Sequence, residues 1–381
     1  MTRRPARPAL LALLALLAAL SACDEPAPAP EAPIDEWDQR LAERVVDYSA
    51  ALRVAALRLT GELPTLAELK LVAGAPDDAA RKAVYEALLR QYVSGPRFAR
   101  QMFHFWQDTL KMGDSPALDS APAFLAQLAA LDRSYLEALT ATSGTCPGFD
   151  PATGTFTPAS CTNTPQTVGL LTHPGVQAHF FSNLGFRRVR WVQETFACAA
   201  FPAEIALAAT DVGGASPYTG AFPFTSIAGA ATGGRVDFRD TKSVICANCH
   251  SSINHIAPLF AYFDEQGQHS ATMAVPVPLP GEPRAQLSDY LPPDEGLAWR
   301  SDAPVTDMAS LGAAMAADPD IASCAIARLW NWALGKPDIV DGPAQVPAAT
   351  IAEHVAAFQA GGHRLRAALL DIFTSDDFIR F

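Results

Sequence analysis

The stretch Cys246-Ala247-Asn248-Cys249-His250 constrains this chain more than any other. Cysteines at i and i+3 share one face of a helical turn, and the residue that follows sits beside them. Two sulfurs so placed can add across the two vinyl groups along one porphyrin edge, and the adjacent imidazole can swing over the iron as proximal ligand. Ala247 and Asn248 fill the two intervening positions without obstructing this. The spacing points to one covalent haem c, attached through Cys246 and Cys249 with His250 on the metal. Pro258 lies downstream, and its carbonyl is expected to accept a hydrogen bond from the His250 imidazole.

Other readings of the motif compete. A zinc site of the paired-cysteine kind needs a second close cysteine pair, and no other C-x-x-C spacing exists in this chain. A thioredoxin-like redox pair expects a βαβ setting, which the local pattern lacks. A plain structural disulfide is the third option. On the haem reading, a sixth ligand must come from the opposite porphyrin face, and so from a distant segment. That argues against His255, five residues on. Met308, at a predicted helix start, is the first candidate and Met273, in a Pro-rich loop, the second. Met315 and His269 are further options, and a five-coordinate iron is another. Met308, Leu311 and Met315 share one helix face, a pattern that equally describes core packing.

The N-terminus indicates the compartment. Arg3, Arg4 and Arg7 precede a short Leu/Ala run from Ala9 to Leu20, too short for a permanent span, which needs about 20 residues. Leu20-Ser21-Ala22-Cys23 then resembles a bacterial lipobox, so residues 1–22 read as a lipoprotein signal peptide and Cys23 as the lipidated residue. The alternative is a plain signal peptide with Cys23 incidental. Residues 23–35 read as a stiff Pro/Ala tether. The expected location is the bacterial cell envelope, lipid-anchored on a periplasmic or outer-surface face. The formal charge of the whole chain is −12, and loss of a leader carrying three arginines and no acid leaves the rest more acidic still. So acidic a surface repels nucleic acid, which is excluded as a partner.

Seven cysteines fit that compartment. With Cys23 given to lipid and Cys246 and Cys249 to haem, four remain for two disulfides in an oxidising setting. Cys146 and Cys161 flank a Gly/Pro/Thr-rich loop whose closure would order it. Cys198 and Cys324 form the second pair by elimination.

Apolar residues recur at helical spacing from Ile34 to Leu59, and a break follows at Gly61-Glu62-Leu63-Pro64. Thr65 and Glu68 form a capping box for the next helix. The pattern predicts further helices at 79–93, 97–112, 121–141 and 187–200. A helix is expected from about 244 to 263, bent or ended by Pro258, and others at 307–317, 319–335, 348–360 and 363–380. Strand signals are few and short. The fold class is mainly α: a helical N-terminal region (36–142), a loop-rich middle segment with one helix (143–240), and a cytochrome c-like haem-binding helical region with long Pro/Gly-rich loops (241–381).

Several short elements together resemble the planctomycete-type cytochrome-like proteins, bacterial domains of unknown function with a C-x-x-C-H motif. They are Leu59-Thr60-Gly61-Glu62-Leu63-Pro64-Thr65, Ser94-Gly95-Pro96-Arg97-Phe98-Ala99 with Phe105-Trp106, and Leu170-Leu171-Thr172-His173-Pro174 with Arg187 to Cys198. Cys249-His250 followed by Pro258-Leu259-Phe260 and Phe263-Asp264-Glu265-Gln266-Gly267 is similar to that family's haem region. Cys324 with Trp332 to Lys336, then Thr374 to Phe378, is similar to its C-terminal segments. Asn254 to Pro258 lengthens the usual distance from His to Pro, and Lys336 stands where the family tends to have Arg. The resemblance covers most of the chain after the leader, and it implies haem binding and a redox role without naming a substrate.

His173 and His179 lie near Arg187, Arg188 and Arg190, a basic patch read first as a solvated helix face and second as a contact for haem propionates or an anionic substrate. Trp106, Trp191, Trp330 and Trp332 read as core. No nucleophile elbow, phosphate loop or dinucleotide fingerprint is present, and Glu194 and Asp240 lack motif partners. The leading expectation is a monohaem electron-transfer lipoprotein working with a redox partner protein at the cell envelope. The alternatives are a haem enzyme with an open distal site and a non-haem lipoprotein acting as a binding or scaffold protein.

Overall fold

The computed structural model describes residues 36–199, 201, 250, 252–277, 281–291, 295–300, 302–335 and 345–381. Cys23, Cys246 and Cys249 lie outside the described residues. The described architecture is mainly α, with two short hairpins. No helix among the described residues is long and apolar enough to cross a membrane.

Helix α1 (Glu36–Glu43) belongs to a small separate unit and carries an exposed Arg40–Glu36 pair one turn apart. The remainder, from Val46 to Phe381, is one compact unit. It opens with α2 (Tyr48–Thr60), which starts where the Asp47 carboxylate accepts from the backbone N–H groups of Ser49 and Ala50. This cap splits the single helix expected between 34 and 59, because it satisfies N–H donors that a continuing helix would have used. Gly61, at φ +76°, closes α2. The Thr65/Glu68 capping box then opens α3 (Leu66–Ala73). Helices α4 (Asp78–Tyr92) and α5 (Pro96–Leu110) follow, the latter begun by Pro96 where a missing N–H costs nothing. Next is α6 (Pro116–Ala130), which packs along α5.

The helix expected over 121–141 stops at Ala130. Asp132 turns left-handed at φ +54°, Arg133 N–H returns to Leu128 O at 2.8 Å, and only the short α7 (Glu137–Thr140) follows. No glycine marks this stop, so periodicity alone runs through it. A hairpin of β1 (Gly148–Asp150) and β2 (Thr155–Thr157) lies in the expected loop region, followed by α8 (Pro174–His179) and α9 (Phe186–Ala197). His250 and residues 252–253 are helical, residues 254–256 turn, and α10 (Ala257–Phe260) begins anew. The 244–263 helix is therefore interrupted within its described part. Pro258, lacking an N–H, sits in the first turn of the new helix rather than bending one long helix. A second small hairpin, β3 (Ala298–Trp299) with β4 (Ala303–Pro304), precedes α11 (Met308–Ala317), α12 (Pro319–Leu334), α13 (Ala348–Ala360), α14 (Leu365–Thr374) and α15 (Asp376–Ile379). Extended Ser375 divides the helix expected over 363–380.

A continuous apolar core runs from Tyr48 to Ile379. The ends of this unit are tied together: Asp47 N–H donates to Ile379 O at 3.0 Å, and the Tyr85 hydroxyl donates to Phe373 O at 2.6 Å. Trp106, Trp191 and Trp330 are buried, and Trp332 packs against the core.

Arg188 fixes α9 against the segment that follows His250. Its side chain is fully buried, and its guanidinium donates to four backbone carbonyls: Gln177 O (2.8 Å), Phe260 O (2.8 Å), Phe263 O (2.7 Å) and Asp264 O (2.7 Å). Arg188 is therefore part of neither a solvated face nor an anion-binding patch. Burial lowers its pKa to about 10, and the nearby Asp264 carboxylate opposes that shift, so the group stays charged at neutral pH. Replacing Arg188 with Met leaves those carbonyls unanswered in the interior. The expected loss is about 3–5 kcal/mol of stability, read from the urea midpoint, and Arg188→Lys should recover only part of it, since an ammonium cannot reach four carbonyls spread across a planar fork.

Candidate functional site

Helix α9 supplies one wall of the site. It starts after Leu184 and Gly185, both left-handed at φ +57° and +68°. Its end is held twice. Cys198, left-handed at φ +50°, is disulfide-bonded to Cys324 of α12 with 5.3 Å between the Cα atoms. Arg328 of α12 also donates to Thr195 O (3.2 Å) and Glu194 O (2.8 Å), placing a cation on the negative end of the helix dipole. Crosslinking residues 126 apart restricts the unfolded chain strongly, worth about 4–5 kcal/mol in the loop-entropy account.

His250 faces this helix. Phe186 meets the imidazole edge-on, with ring centroids 4.9 Å apart and planes at 81°. The His250 Nδ1 atom lies 2.7 Å from Asn254 Oδ1. Asn254 is fully buried, and its orientation is set from the other side, where its Nδ2 donates to Tyr290 O at 2.8 Å. With the amide nitrogen so engaged, the oxygen faces His250 and accepts, so Nδ1 carries the proton and Nε2 the lone pair. Burial pushes the His250 pKa down and so favours the neutral ring, against a smaller opposing effect of the Asn254 bond. A neutral imidazole with its lone pair on Nε2 is a metal-ligating one.

The acceptor for Nδ1–H is thus a side chain. The Pro258 carbonyl, expected in that role, instead accepts from Ala261 N–H at 3.3 Å. Two residues beyond His250, the Ser252 hydroxyl donates to Gln193 Oε1 on α9 at 3.3 Å. Tyr290, whose ring meets Phe186 at 85°, is fully buried, and its hydroxyl has no hydrogen-bond partner among the described residues. Composition and motif reading missed Asn254, Phe186 and Tyr290. Only Asn254 had a local signal, its i,i+4 spacing from His250.

The other candidate ligands lie elsewhere. Met308 is buried at the start of α11, with Leu311 and Met315 in the core beneath it. It lines a cavity of about 310 Å³ together with His269, Tyr262 and Leu259. Met273 is partly buried against the core. His255 Nε2 pairs with Glu295 at 3.1 Å.

A second cluster gathers Cys146, Cys161 and His173, whose ligand atoms lie within 4.8 Å of one another. It cannot hold a metal as it stands. The two sulfurs are joined in a disulfide, with 5.2 Å between the Cα atoms, and so offer no thiolate. His173 Nδ1 accepts from Gly175 N–H at 3.1 Å, capping α8, which leaves the proton on Nε2. That proton points at Ser120 Oγ (3.1 Å) and Cys146 Sγ (3.4 Å). The cluster staples the loop through residues 146–161 onto α6 and α8.

No protein-family model, curated protein or solved structure matches this chain.

His173 is fully buried, and desolvation lowers its pKa to about 3 from an ordinary 6.5. The folded form therefore refuses a proton that the unfolded chain accepts below pH 6.5. Stability should fall as pH drops from 6.5 towards 3, by about 1.4 kcal/mol per unit from this group at its steepest. Asparagine can keep the cap on Gly175 without titrating. Urea midpoints of wild type and His173→Asn at several pH values in that window should converge or cross as the pH falls. Parallel acid limbs would place the titration on another group.

Proposed function

We propose that this chain is an exported, lipid-anchored protein carrying one c-type haem, and that it transfers electrons at the cell envelope with a redox partner protein. Cys246 and Cys249 would form the thioethers, His250 would ligate iron through Nε2, and Cys23 would carry the lipid. The observation that carries the reading is the state of His250. Directly after a C-x-x-C pair stands a neutral imidazole whose Nδ1–H is engaged by a buried amide, leaving Nε2 as the donor atom. The resemblance to the planctomycete-type cytochrome-like proteins supports the same reading. When bound, the haem supplies a one-electron iron couple.

The chain's own contribution is to hold the ligand ring. Phe186 blocks rotation of the imidazole, Asn254 fixes its tautomer, and Arg188 pins the segment behind it to α9. Met308 or Met273 would be the sixth ligand. Met308, the first candidate on the sequence, lines the cavity it shares with Leu259. His269 lines the same cavity and is the bis-His alternative.

The test is a denaturing gel stained for haem peroxidase activity, on protein made in a host that matures c-type cytochromes, beside Cys249→Ala. The expected result is a stained band at the processed mass that the substitution abolishes. A six-coordinate low-spin spectrum then supports electron transfer, and a five-coordinate one moves the reading to a haem enzyme with an open distal site. An unstained band from well-folded protein leaves a non-haem envelope lipoprotein acting as a binding or scaffold protein.

A further inference from the structure

Resting on that haem reading, we infer that Asn254 is the positioning residue that sets the donor strength of His250, and through it the reduction potential of the iron. The geometry behind this is a short relay. Asn254 lies one helical turn beyond His250, and its N–H donates to His250 O at 3.1 Å, so the two side chains share a face. Its Oδ1 accepts from His250 Nδ1 at 2.7 Å while its Nδ2 donates to Tyr290 O at 2.8 Å. The carboxamide is anchored at both ends and fully buried, which holds Oδ1 on the Nδ1 proton. Tyr290 contributes again, because its ring braces Phe186, which in turn meets the imidazole edge-on. One residue thus holds the acceptor through its carbonyl and the ring stop through its side chain.

The electronic consequence follows from where the proton sits. An acceptor on Nδ1–H draws that proton away from the ring and raises electron density on Nε2, which stabilises the ferric over the ferrous state. A side-chain acceptor can be removed by substitution, whereas a main-chain carbonyl cannot, so the contribution is directly measurable. Asn254→Leu keeps the branched shape with somewhat bulkier ends and deletes the acceptor. Asn254→Asp keeps an oxygen where Oδ1 stands.

The experiment is spectroelectrochemical titration of the matured holoprotein and both variants, with haem stain and thermal melts alongside, plus the Nδ1–H resonance of His250 in protein labelled with 15N-histidine. In wild type that proton should be seen and exchange slowly. In Asn254→Leu it should exchange rapidly, and the ferrous-to-ferric ratio at a fixed ambient potential should rise about tenfold, ~59 mV for one electron. Asn254→Asp should sit at or below the wild-type potential. The inference is overturned if haem-loaded Asn254→Leu keeps the wild-type potential, or if both variants move it alike, which would make the effect one of packing. Should Asn254→Leu fail to fold, the wild-type proton decides: rapid exchange or protonation at Nε2 overturns it. A wild-type band without haem stain defeats the parent reading as well, and is distinguished by needing no variant.

Discussion

A single guanidinium sits between helix α9 and the residues that follow His250, in a place where a positive charge is costly. Taking Arg188 out of water is several kcal/mol uphill, and the structure offsets this with four carbonyl oxygens and the face of Phe181, 5.2 Å away. Two of those carbonyls, Phe260 O and Phe263 O, lie at and just beyond the end of α10, where the helix dipole already favours a cation. Because all four must be met at once, the guanidinium tolerates little displacement of the backbone it holds. Beyond it, Asp264 Oδ1 accepts from the N–H groups of Gln266 and Gln268, and Gly267 comes so close to Pro174 O that a Cβ there would lie 2.2 Å away. The turn after α10 is thus fixed against both α8 and α9. The same α9 presents Phe186 to the imidazole and Gln193 to Ser252, so one helix positions several parts of the His250 region.

Two buried histidines show how neighbours decide what an imidazole can do. His173 and His250 both lose basicity through desolvation and are both neutral near pH 7. His173 gives its Nδ1 lone pair to a helix N-terminus, so its proton lies on Nε2, pointed at a disulfide sulfur and a serine. His250 gives its Nδ1 proton to an amide oxygen, so its lone pair lies on Nε2. The first arrangement finishes a cap and packs a staple. The second presents a neutral ring with its lone pair on Nε2, the form that the proposed iron ligand needs. The residue type is the same and desolvation lowers both pKa values; the tautomers differ because the group facing Nδ1 is a donor in one case and an acceptor in the other.

Local chemistry in the chain made much of the helical scaffold readable. The Thr65/Glu68 capping box, Pro96 at a helix start and Gly61 at a helix end are contained within a few residues, so they appear where the pattern places them. Several of the missed boundaries share a feature. Lys111, Asp132 and Cys198 end or follow helices in left-handed conformations without being glycine, and Ser375 breaks a helix while extended. Tertiary contacts hold some of them, such as the disulfide at Cys198 and the Arg364 side chain that donates to Asp132 O, and short-range propensity gives no warning of these.

What the sequence by itself determined is everything a short window can encode: the mainly helical class, the few weak strands, the C-x-x-C-H spacing, and an even set of four cysteines outside that motif and the lipobox-like segment. Which cysteines meet is a property of the fold, since Cys198 and Cys324 are 126 residues apart and only the packing of α9 against α12 brings them together. The burial of Arg188 and the choice of Asn254 over the Pro258 carbonyl are likewise tertiary decisions. Each depends on partners 72 to 76 residues away for Arg188 and 36 residues away for Asn254. A charged residue in a helix reads as surface until the carbonyls that enclose it are known, and an asparagine reads as turn-former until something fixes its amide. Hydrogen bonds are directional and short-ranged in space but indifferent to separation along the chain, so the pattern of residues names the donors and acceptors while the fold alone decides which of them meet.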